Sequence, residues 1–92
     1  MQKSYLVRAA DVSAYQPANH HHTSNQRLIG PETVGAQQME VLLGTLHKGG
    51  GALPHAHPGI EQACYLLEGT AHVEVAGQSF PCRPNACLYG HQ

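Results

Sequence analysis

From Ala36 onward the chain is dominated by alternation of apolar and polar positions, and no helical periodicity competes with it. Met39, Val41 and Leu43 alternate with Gln38, Glu40 and Leu42, and the pattern runs on through Thr45 to His47. Successive side chains of an extended segment leave opposite faces, so this spacing predicts a half-buried strand. Lys48-Gly49-Gly50-Gly51 is expected to end it. A second strand is predicted over 62–68, closed by Gly69. In a third, Ala71, Val73 and Val75 alternate with His72 and Glu74. Ala76-Gly77-Gln78 reads as a hairpin turn into a return strand over 79–82. Pro84-Asn85 marks another turn, and Cys87-Leu88-Tyr89 a last short strand. Short strands split by Gly and Pro turns predict an all-β barrel or sandwich.

The first 35 residues read differently. Pro17, Asn19, His20, His21, His22, Thr23, Ser24 and Asn25 form a polar run with turn and loop chemistry. Only Tyr5-Leu6-Val7 has the composition of a strand there. The expected organisation is therefore an N-terminal arm over 1–35 and a folded domain over 36–92. An extended arm of this kind packs across a neighbour, which makes a homodimer the expected assembly.

Composition narrows the function classes. Ninety-two residues allow one small domain with a modest core. A formal net charge of −1 without a basic run argues against nucleic acid or an anionic membrane as partner. No apolar run approaches the roughly 20 residues of a membrane span. The first ten residues lack the apolar block of a secretory signal, so a cytoplasmic location is expected. Cys64, Cys82 and Cys87 form no Cys-x-x-Cys pair and are expected to be buried free thiols that pack as small hydrophobes.

The compositional excess is histidine, eight in all. His55 and His57 are two apart between Pro54 and Pro58, so an extended backbone sends both imidazoles to one face, where they can share a divalent ion. A third ligand is then needed nearby, and Glu61 and Gln62 both follow closely. His20-His21-His22 is less suggestive, since three consecutive residues cannot all face one ion; a solvated loop is expected. His72 is expected on the surface and His47 at a strand end.

At this point the residues resemble the first motif of the cupin family. That motif is a Gly, five residues, His-x-His, three or four residues, an acidic residue or Gln, six residues and a Gly. Gly49, His55, His57, Gln62 and Gly69 fit it in order. Glu61 would also serve as third ligand after His57, but leaves seven residues before Gly69; the glycine register favours Gln62. The resemblance implies a jelly-roll β-barrel holding one divalent transition metal, Fe, Mn, Ni or Zn, through His55, His57 and Gln62. It covers roughly residues 36–88.

The second motif departs from the family. Arg83-Pro84-Asn85-Ala86 stands where the family carries a Pro-Gly-Asp turn, and Gln92 is reached before the His that supplies a fourth ligand. His91 is the nearest substitute. The expected barrel is thus incomplete at its C-terminal side, as in a fragment. Resemblance implies isomerase or dioxygenase chemistry on a small oxygen-rich substrate, with Glu61 as the proton-transfer group. The alternatives are a non-catalytic small-ligand-binding module and an inactive remnant.

Overall fold

The structure, a computed structural model, describes residues 5–52 and 59–91. The protein is all-β, with a single short 3-10 turn at Ala9–Asp11 among the described residues. Six strands follow in order: β1 His20–Ile29, β2 Val41–Ala52, β3 Glu61–Tyr65, β4 Ala71–Val75, β5 Gln78–Cys82 and β6 Cys87–His91. They pair as three antiparallel two-stranded ladders, β1–β2, β3–β6 and β4–β5. The chain divides into two compact units, Met1–Pro54 and His55–Gln92.

In the first unit, the polar run expected to be a loop is instead a strand. His20–Ile29 pairs with β2 along its length, and this long-range pairing overrides the weak strand propensity of its residues. Tyr5-Leu6-Val7, expected as a strand, is not one. The N-terminal segment is tied down further along. Tyr15 and Asn25 exchange backbone hydrogen bonds of 2.9 and 2.8 Å, and the Gln26 amide donates to the carbonyls of Ala9 and Val12 at 2.8 and 2.9 Å.

Beyond β1 the chain folds over Gly30, whose carbonyl accepts from the backbone N–H groups of Thr33, Val34 and Ala36. The Arg27 side chain lies across this turn, and a Cβ at Gly30 would meet Arg27 Cδ at 2.6 Å. The guanidinium donates to Glu32 at 3.1 Å and sits 5.5 Å from the Tyr15 ring centroid. Its Nε also lies 3.0 Å from a Glu40 oxygen, an ion pair that lacks hydrogen-bond alignment.

The glycine run expected to break β2 lies inside it. The ladder slips there: His21 faces Gly51, whereas Thr23 faces Leu46. His22 on β1 and residues 47–50 on β2 form opposed bulges. His22 and Gly49 have left-handed backbones, at φ 52° and 81°. A bulge absorbs the extra residues that would otherwise have ended the strand.

The second unit follows its alternation more closely. Ala71, Val73 and Val75 are half-buried while His72 and Glu74 are exposed, as period two requires. Their cross-strand partners on that face are Cys82, Phe80 and Gln78. Among the described residues Cys82 is the one buried apolar side chain, and none is fully buried. The hairpin turns at Ala76 and Gly77, both left-handed at φ 51° and 77°, the geometry of a two-residue type I′ turn. Strand β3 is shorter than the predicted 62–68 and pairs with β6, so the hairpin is nested between two strands that pair with each other. The Pro84-Asn85 turn stands as predicted, closed by the bond from Ala86 N–H to the Arg83 carbonyl at 3.1 Å.

Candidate functional site

His55 and His57 lie outside the described residues. What the structure places is the strand that follows them. Gln62 is the second residue of β3 and pairs with Gly90 of β6. Strand alternation puts it on one face with Cys64, opposite Leu88 and Gly90. Gly90 contributes no side chain, and a Cβ built there would meet nothing within 4 Å. The Gln62 amide is therefore exposed beside open space.

Glu61 belongs to the other face, with Ala63 and Tyr65, opposite Tyr89 and Cys87. Its carboxylate accepts a 2.6 Å hydrogen bond from the Tyr89 hydroxyl, one diagonal step along the ladder. That bond holds the Tyr89 proton, and partial burial adds to it, so the phenol titrates above its ordinary value. At the other end of the same face the Tyr65 hydroxyl donates to Asn85 at 2.8 Å. Glu61 and Gln62 thus cannot both turn toward one ion while β3 stays regular. The backbone of His91 pairs with that of Glu61.

The remaining candidates are distributed. Among the described residues no three His, Cys, Asp or Glu side chains come together as a metal-holding group. All three cysteines are free thiols, but only Cys82 is buried as expected; Cys64 and Cys87 are exposed, each on a face of the two-stranded β3–β6 ladder. His72 is exposed on the outer face of β4, as expected. It helps line a shallow depression of about 340 Å³, together with Thr70, Ala71, Pro81, Cys82 and Arg83. The depression includes none of the metal candidates. Among the described residues no helix is long and apolar enough to cross a membrane.

No family model matches the chain, and no solved structure matches it. Among curated proteins it is 32% identical over 81 residues to a protein named polyketide synthase CurC, from Streptomyces cyaneus. The matched stretch is 88% of this chain and 53% of that protein, so the chain spans about half the length of this relative.

Proposed function

We propose that the protein is a cupin-type metal-binding domain acting on a polyketide-like substrate, a chain with oxygen on alternate carbons. The observation that carries the reading is the placement of Gln62. It follows the His-x-His pair, stands on the first strand after it and faces a glycine across the ladder. The nested pairing of β3 with β6 around the β4–β5 hairpin supports a jelly roll, since wrapping a long hairpin onto itself produces such nesting.

The donor set fits a borderline divalent ion. Two neutral imidazoles and an amide oxygen suit Fe(II), Mn(II), Ni(II) or Zn(II), and the exposed Gln62 amide is free to turn to one. His55, His57 and Gln62 would hold it. When bound, the ion supplies Lewis acidity toward substrate oxygens, or a redox centre for dioxygen chemistry.

The chain's own residues shape the rest. Gly90 leaves room beside Gln62 for substrate, and the half-buried Leu88 on the same face offers an apolar contact for its carbon skeleton. Glu61, committed to Tyr89 across the other face, keeps β3 and β6 in register and so holds Gln62 in place. The similarity to a protein named as a polyketide synthase supports reading the oxygen-rich substrate as one with 1,3-related carbonyls, a group able to bind a metal through two oxygens at once.

The test is binding of 2,4-pentanedione, a minimal 1,3-dicarbonyl, to protein loaded with Ni(II) or Fe(II). Saturable binding that is lost on chelation, and lost in His57→Ala and Gln62→Ala, is the expected result. Binding that survives chelation would point to a metal-independent ligand-binding module, and an absence of binding would remove the substrate assignment.

A further inference from the structure

The three consecutive histidines of β1 fall where the first ladder is irregular. In a regular strand neighbouring side chains point to opposite faces and their rings diverge. Here His22 is the bulged residue, with a left-handed backbone at φ 52°, a conformation disfavoured for any residue with a Cβ. The bulge brings its imidazole back beside that of His21. The two ring centroids are 6.0 Å apart, with their planes at 73°. Bulges re-aim side chains in this way, and strained backbone of this kind collects at functional sites.

A third histidine is anchored at the same place. The backbone carbonyls of His21, His22 and His47 converge on Gly50. Those of His21 and His47 lie 2.9 Å from the point where a Cβ would stand, and that of His22 is closer still. Only glycine fits there. All three histidines are exposed.

We propose that His21 and His22, with the His47 backbone anchored at the same bulge, form a second metal site that takes a late divalent transition ion such as Zn(II), Ni(II) or Cu(II). Two imidazoles sharing an ion, with metal–nitrogen bonds of about 2.0–2.1 Å, hold their ring centroids roughly 5 to 6 Å apart. The 6.0 Å separation is close to that range. Imidazole donors select these ions over Mg(II) or Ca(II), which require oxygen ligands. As the side chains stand, the His21 and His22 rings are neighbours, and among the described residues no group of three ligands is assembled. His47 is the candidate third ligand, to be brought in by turning about its own side-chain bonds, with water filling what remains. This site does not rest on the assignment of His55, His57 and Gln62.

The experiment is calorimetric titration of the full chain with Zn(II) and with Ni(II), in a His55→Ala/His57→Ala background that removes the other candidate site. About one equivalent should still bind. His21→Ala and His22→Asn should each weaken it by at least the roughly tenfold that even an outer-shell change costs a metal site. Asparagine at position 22 tolerates the left-handed backbone, so the bulge persists without its ligand, and far-UV circular dichroism checks that it does. Lack of binding in the background protein, or affinity unchanged by both His21→Ala and His22→Asn, would overturn the proposal.

Discussion

The β1–β2 ladder and the β4–β5 hairpin are both antiparallel pairs, but different forces hold them. The hairpin is short and local. A two-residue turn joins strands of five residues, and one face carries Ala71, Val73, Val75, Phe80 and Cys82. The ladder joins a mostly polar strand of 10 residues to a glycine-rich one of 12, through an eleven-residue connection over 30–40. Polar side chains hold it: Gln26 and Thr33 reach backbone atoms of the Ala9–Asp11 turn and of Gly30, and Arg27 pairs with the carboxylates of Glu32 and Glu40. A hairpin of the first kind is specified by its own few residues. A ladder of the second kind exists only once distant segments have met.

If that contrast is right, the ladder should be most sensitive where backbone meets backbone. Gly50→Ala places a methyl against the His22 carbonyl, with no flexible side chain to yield, and should cost about 2–3 kcal/mol. Denaturant melting of the variant checks this, with amide exchange showing lost protection from Thr23 to Gly51. Next in size is Gln26→Ala, which removes two donors to backbone carbonyls and should cost about 1–2 kcal/mol. Its signature is faster exchange at the Asp11 and Val12 amides, which close the 3-10 turn.

The hairpin should respond to local chemistry, and in the opposite direction. Ala76 is a left-handed alanine in a type I′ turn, so Ala76→Asn creates the favoured Asn-Gly pair and should stabilise by about 0.5–1 kcal/mol. A matching gain in the melting midpoint is the readout. The smallest effect concerns β3–β6. Because the bond to Glu61 raises the Tyr89 phenol above its usual value, its contribution is full below pH about 10 and fades as pH rises through the raised folded value. Ultraviolet titration should show one late-titrating tyrosine, shifted back toward the ordinary value in Glu61→Gln.

The same contrast explains what could be read from the sequence. Residues 71–89 announce themselves: alternation gives β4, Ala76-Gly77 the turn, and Pro84-Asn85 the next one. The first 35 residues do not, because nothing local distinguishes a solvated loop from a polar strand whose partner lies twenty residues on. Thr23 and Ile29, both β-branched, are the only compositional hints of β1. Nor did the glycine run disclose that β2 would bulge through it rather than stop. At the candidate site, the separation of Glu61 from Gln62 follows from period two alone. The pairing of Gln62 with Gly90 and of Glu61 with Tyr89 needed β6 in place.

The central claim is that His55, His57 and Gln62 hold a divalent transition metal. Elemental mass spectrometry of the purified protein tests it most directly, in a His21→Ala/His22→Asn background that silences the other proposed site. The account expects about one equivalent of Fe, Mn, Ni or Zn, the occupancy of a single site, and its loss in His57→Ala. Protein that stays metal-free after anaerobic loading with each of the four ions, or that keeps its metal in His57→Ala, would contradict it.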